Sequence, residues 1–154
     1  MPRLIDSESR ADALIAAVNH ILSTEGLPGL TIRRVAQVSR VAASSVLHHL
    51  GSRERLLAVS ASHTARNRRH RFLAAEAGYG EPRGLLALLP ASPDEVVDAR
   101  IWLAWLELWR CDPAIAPIFD HHMIQMRGLL AELTGHRFAP DKLSATLALA
   151  DGLT

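Results

Sequence analysis

Hydroxyl, imidazole and guanidinium groups gather in two short stretches of the first half of the chain. Thr31 stands beside Arg33 and Arg34, and Ala43, Ser44, Ser45, His48, His49 and Arg53 follow closely. Ser and His can bond base edges, Ala can meet a thymine methyl, and Arg can hold phosphate, so this set has the chemistry of nucleic-acid contact. The adjacent histidines also fit a plain role in packing and solvent exposure, because neighbours on a helix point in different directions. In the second half, Trp102, Trp105 and Trp109 recur at three- and four-residue steps beside Glu107. Such a stripe is either core or the wall of a cavity.

Catalytic patterns are missing. There is no His-Glu-x-x-His, no nucleophile elbow and no paired-carboxylate pattern, and Gly78-x-Gly80-x-x-x-Gly84 has the wrong spacing for a dinucleotide loop. Asp120-His121-His122 offers metal-ligating groups, but contiguous positions on one helix radiate apart. Cys111 is the only cysteine, so there is no internal disulfide and no Cys-His set for zinc. The expectation is a protein that is not an enzyme, with no catalytic residues, no metal and no cofactor.

At 154 residues, 49% of them hydrophobic, the chain can bury a sizeable core as one unit or as a small head on a second helical layer. No apolar run approaches the roughly 18 residues of a membrane span. The start, Met1-Pro2-Arg3-Leu4-Ile5-Asp6-Ser7, lacks the features of an export signal, which predicts a cytoplasmic protein with no membrane partner. The net charge of +1 conceals an asymmetry. Residues 1–77 carry 11 Arg against 6 acids, net +5, whereas residues 78–154 carry 5 Arg and 1 Lys against 10 acids, net −4. A polyanionic partner for the first half explains this, and so does an ordinary solvated surface.

The elements that position these groups are helices. Leu14, Ala17, Val18, Ile21 and Leu22 share one face of a helix over 7–25, stopped by Gly26. Thr31 caps a second over 31–39, and a short turn at Arg40 leads to a third over 42–49, closed by Gly51. Ser52 and Glu54 begin a long helix to about residue 77. A short helix over 82–89 follows. Ser92-Pro93-Asp94-Glu95 is a strong helix start, Asp112-Pro113 another, and Ala139-Pro140-Asp141 a third whose apolar pattern runs into residue 154. No strand alternation is visible, so the fold class is all-α, a three-helix helix-turn-helix head over 1–51 and a helical-bundle body over 52–154. The uninterrupted pattern at residue 154 leads to the expectation that further natural sequence follows.

The block from Leu30-Thr31-Ile32-Arg33-Arg34-Val35-Ala36 to His48-His49-Leu50-Gly51-Ser52-Arg53-Glu54-Arg55-Leu56-Leu57 resembles the head of the tetracycline-repressor (TetR) family. That resemblance implies phosphate contacts near Thr31 and Arg33, a recognition helix presenting Ala43, Ser44, Ser45 and His48 and ending at His49, and a phosphate clamp at Arg53. It also places Arg3 on an arm reaching the minor groove. The chain departs from the family pattern at Arg40, usually Gly, at Ala42, usually Ser, at Ser44, often Gly, and at Leu47, usually Tyr. Arg66, Arg68, Arg69 and Arg71 read as a solvated face or as contacts with the acidic body.

The run through Ser92-Pro93-Asp94-Glu95 and Ile101-Trp102-Leu103-Ala104-Trp105 to Asp112-Pro113 resembles the BetI-type bodies of the same family, and Leu149-Ala150-Asp151-Gly152-Leu153 resembles the start of their dimer helix. The implied effector pocket takes in Trp102, Trp105, Glu107, Trp109, Phe119, His122, Met123 and Met126. The implied function is a ligand-responsive repressor, a homodimer binding a palindromic double-stranded DNA operator and released by a small apolar or amphipathic effector. The alternative is a helical interaction or ligand-binding module that has lost operator binding.

Overall fold

The computed structural model describes the backbone of residues 3–79 and 83–152, with the side chains of all of these except 3–9, 47–50 and 78–79. Among the described residues there is no strand. The helices are α1 (Arg3–Thr24), α2 (Gly26–Gly29), α3 (Ile32–Ser39), α4 (Ala43–Leu50), α5 (Arg53–Tyr79), α6 (Pro93–Cys111), α7 (Ala116–Leu133) and α8 (Pro140–Gly152), with one 3-10 turn at Leu86–Leu88. Two compact units result, Met1–His63 and Thr64–Thr154, and the division falls inside α5.

In the first unit the face expected of α1 is the buried one: Leu14, Ala17, Val18, Ile21 and Leu22 are all nearly inaccessible, and Val35, Val46, Leu56 and Leu57 complete the core. Full burial of each large apolar side chain contributes about 1.5–3 kcal/mol. The ends of these helices are set locally. Thr31 is extended, and its hydroxyl accepts the Arg34 N–H at 3.1 Å. Ser52 does the same for the Arg55 N–H at 3.2 Å. Gly51, with φ +81°, makes the turn between α4 and α5 that a side chain would oppose.

Two readings of this region are corrected. Helix α1 begins at Arg3, so residues 3–6 are helical and do not form an extended arm; the Arg3 side chain lies outside the description. The link between the helix stopped by Gly26 and the one capped by Thr31 contains a single helical turn, α2, because Gly26 with φ +68° lets the backbone wind again after α1.

Arg40 closes α3 in the left-handed region, φ 58° and ψ 26°, with the Val41 N–H returning to the Ala36 carbonyl at 3.1 Å. This Schellman-type turn favours glycine, and a Cβ there is strained. Arg40→Gly is expected to raise head stability by about 0.5–1 kcal/mol, net of the flexibility glycine adds to the unfolded chain. A higher melting temperature would register it, and an unchanged or lower one would show the turn to be unstrained.

The second unit holds the remainder of α5 with α6, α7 and α8. Phe72, Leu88, Met126, Leu130, Leu143 and Leu147 form one buried cluster. Ser92 caps α6 as expected by accepting the Glu95 N–H at 3.3 Å, while the Glu95 carboxylate takes the N–H of Ala91 at 2.7 Å, one residue ahead of the cap. The helix expected over 82–89 is only the 3-10 turn; Pro82 lies outside the description. Gly84 sits where a Cβ would come within 2.7 Å of the Phe72 ring, and the Ala87 carbonyl bonds Arg71 Nη2 at 2.7 Å, so tertiary contacts hold this segment short of an α-helix. Asp112-Pro113 starts a turn instead of a helix. The Asp112 carboxylate accepts the Ala114 N–H at 2.9 Å, and α7 begins three residues later than Pro113, at Ala116.

Candidate nucleic-acid interface and ligand cavity

Helices α3 and α4, joined by the Arg40 turn, form the helix-turn-helix of the first unit. Val35 and Val46 are buried, anchoring one side of each helix. Thr31 and Arg33 are exposed at the start of α3, where free N–H groups and the helix dipole favour an anion. Ala43 and Ser44 are exposed on α4, Ser45 is half-buried beside them, and Arg53 is exposed at the start of α5. His48, His49 and Leu47 belong to α4, and their side chains lie outside the description.

Arg34 belongs to a different group from Arg33. Its guanidinium grips Glu25 with Nε–Oε1 2.8 Å and Nη2–Oε1 2.7 Å, which ties the junction of α1 and α2 to α3. The Arg34 hydrogen bond holds the Glu25 carboxylate below its usual range. Sequence adjacency gave no sign that one of the two arginines is engaged in the fold and the other faces solvent.

The aromatic stripe of α6 divides. Trp102 and Trp105 are fully buried, whereas Trp109 is half-exposed. Trp102 packs against Phe119 at 5.1 Å between ring centroids and edge-on against His122 at 5.2 Å. The Arg68 guanidinium lies 4.4 Å from the Trp102 ring centroid, a cation-π contact. The Asp151 carboxylate receives hydrogen bonds on one oxygen, Oδ1, from Arg68 Nη2 at 2.8 Å and Trp102 Nε1 at 2.9 Å. Trp105 Nε1 is buried without a partner among the described residues.

Of the expected pocket residues, Trp102, Trp105, Phe119, His122 and Met126 are in the core. Glu107, Trp109 and Met123 instead line an open cavity of about 1260 Å³, together with Leu103, Ile124 and Asp151. The expected set is therefore brought together in two layers, with Asp151 touching both; sequence reasoning did not single out Asp151 or Arg68. Burial pushes the His122 imidazole down to about 4, with Arg68 and Arg69 adding to the effect, so the ring is neutral near pH 7. Burial likewise raises the Asp151 carboxyl and lowers the Arg68 guanidinium, and their mutual attraction only partly opposes it.

Asp120 and His121 are exposed while His122 is buried, and the Asp120 carboxylate accepts Trp109 Nε1 at 2.9 Å. Among the described residues, no group of three His, Cys, Asp or Glu side chains is placed to hold a metal ion. No described helix is long and apolar enough to cross a membrane.

No family model matches the chain. The protein described as HTH-type transcriptional regulator BetI from Burkholderia lata is 31% identical over 115 residues, covering 71% of this chain and 58% of that protein. A transcriptional regulator from Rhodococcus sp. Rha1 shares the fold with a TM-score of 0.81 at 24% identity, over 93% of this chain and 80% of that one. A Rhodococcus sp. structure described as a TetR-family transcriptional regulator superposes with a TM-score of 0.76 at 19% identity, over 94% and 85%. The chain is thus similar in sequence to a BetI regulator and shares the fold of TetR-family regulators. The described residues hold a helix-turn-helix and a second helical unit, and the chain spans just under three fifths of the curated relative's length.

Proposed function

We propose that this chain is a TetR-family, sequence-specific DNA-binding transcription regulator and not an enzyme. It acts as a cytoplasmic repressor that a small apolar or amphipathic effector releases from a palindromic operator, which a homodimer reads through two half-sites. The functional division is a DNA-binding head over 1–51 and an effector-binding and dimerisation body over 52–154. The observation that carries this reading is the exposure of Ala43 and Ser44 on α4, flanked by the exposed cations Arg33 and Arg53 on the neighbouring helix starts.

Ser45 and His48 set sequence preference in this reading, Thr31, Arg33 and Arg53 hold phosphate, and His49 ends the recognition helix. The effector lodges at the stripe of Trp102, Trp105 and Trp109 and the cavity beside it, and acts by binding the DNA-competent and incompetent states with different affinity.

Selection of bound sequences from a random DNA pool by the whole chain tests the proposal. A palindromic consensus is expected, and recovery of none would favour a helical module without operator binding. Ser45→Ala and His48→Ala are expected to relax preference at single positions by about 1–3 kcal/mol each. Arg53→Ala is expected to weaken all sequences alike and to lower the salt slope by about 0.9 for each phosphate it no longer neutralises. Equal loss for all three variants would contradict this division of roles.

A further inference from the structure

We infer that Arg68 and Trp102 form a carboxylate-binding site in the body, occupied by the internal carboxylate of Asp151, and that the effector is an amphipathic acid whose carboxylate displaces it. This rests on the effector reading above.

Three observations converge. First, Arg68 Nη2 and Trp102 Nε1 both aim at one carboxylate oxygen, Asp151 Oδ1, at 2.8 and 2.9 Å. Two N–H donors meeting at one oxygen, with the guanidinium stacked over the indole, are the elements of an oxyanion site. Second, Arg68 is only 7% exposed and meets Asp151 through Nη2, one nitrogen of a guanidinium that carries five N–H donors. Third, Asp151 also lines the open cavity, whose lining includes the apolar side chains of Leu103, Leu106, Met123, Ile124 and Ala148. A ligand acid entering there would meet the donors with its head and the apolar wall with its tail.

The ion pair is poorly explained as a device for stability. Burial shifts both partners toward their neutral forms, and buried pairs of this kind are commonly no better than apolar residues of equal volume. Replacing Asp151 by a ligand carboxylate keeps the charge contact, returns Asp151 to water and buries the tail, each methylene adding about fourfold to affinity. A ligand cation would gain only the remaining Asp151 oxygen and would stand beside the buried Arg68 charge. The geometry therefore favours an acid over an amine.

The test is calorimetric titration of the full 154-residue chain with octanoate, octanol and octylamine, which share a tail and differ in head. Octanoate is expected to bind about tenfold or more tighter than the other two. Asp151→Asn keeps an oxygen for both donors and removes the competing charge, so it should tighten octanoate by about tenfold while moving octanol by less than about twofold. Trp102→Phe removes one donor and should weaken octanoate by about tenfold, again sparing octanol. Octylamine binding as tightly as octanoate, or an Asp151→Asn chain with unchanged or weakened octanoate affinity, would overturn the inference. If Asp151→Asn fails to fold, Trp102→Phe and the head-group series decide, and unchanged octanoate affinity in Trp102→Phe overturns it. These titrations contain no DNA. An acid site with no selected operator would refute the regulator reading alone, and an operator released by octylamine but not octanoate would refute the acid site alone.

Discussion

Trp102→Ala should destabilise the body by about 3–5 kcal/mol, the largest effect expected of a single core truncation in this chain. Trp102 is 1% exposed and fills the space between α6 and α7 against Phe119 and His122, so its removal leaves a cavity lined by rings that cannot close over it. Two further losses follow. Arg68 loses the ring beneath its guanidinium, and Asp151 loses one of its two donors while staying largely buried. Trp102→Phe separates these effects, since it keeps most of the packing and removes the N–H; about 1–2 kcal/mol is expected for that change. Trp105, three residues on and equally buried, behaves oppositely. Its Nε1 already lacks a partner among the described residues, so Trp105→Phe removes an unsatisfied donor and should be neutral or slightly stabilising. Urea denaturation followed by helical circular dichroism measures all three. Equal losses for Trp102→Phe and Trp105→Phe would show that the Asp151 hydrogen bond contributes nothing.

Much of this architecture was legible because its signals are local. A cap needs only its own hydroxyl and the N–H three residues on, so Thr31, Ser52 and Ser92 announced the starts of α3, α5 and α6 in sequence. The buried face of α1 was equally readable, because Leu14, Val18, Ile21 and Leu22 repeat at helical steps. Misreadings arose where distant groups intervene. Nothing within residues 82–89 reveals that Arg71 will take the Ala87 carbonyl or that Gly84 must fit under Phe72. Asp112-Pro113 has the composition of a helix start, but its carboxylate closes a turn onto Ala114 first. The aromatic stripe was visible, and its division was not: three- and four-residue spacing defines a broad face, within which Trp102 and Trp105 turn inward while Trp109 borders the cavity. Arg68 was one of four arginines read as a solvated face or as partners of the acidic body. Its partner Asp151 stands 83 residues away, which no periodicity encodes.

Acidification from pH 7 to about pH 4 should remove about 3 kcal/mol of body stability through His122 alone. The sign follows from the direction of its shift. Burial lowers the imidazole from 6.5 to about 4 in the folded chain, so the unfolded chain takes up a proton first as pH falls. The stabilisation from keeping His122 neutral is complete above about pH 6.5 and is lost progressively between 6.5 and 4, at about 1.4 kcal/mol per unit. Arg68, Arg69 and His121 all repel a charged ring and so add to the effect of burial. Asp151 works in the opposite sense. Its carboxyl is raised by burial, so the folded chain binds that proton first, and acid relieves a cost present at neutral pH, offsetting part of the His122 loss at the low end of the window. The His122 contribution is isolated by comparison with His122→Gln, which keeps a polar group of similar reach and cannot titrate. The difference in unfolding free energy between wild type and His122→Gln should fall by about 3 kcal/mol from pH 7 to pH 4, with most of the slope below pH 6.5. A difference that stays constant across that range would mean that His122 is hydrated enough to be charged in the fold, and that Trp102 is packed against an imidazolium instead of a neutral ring.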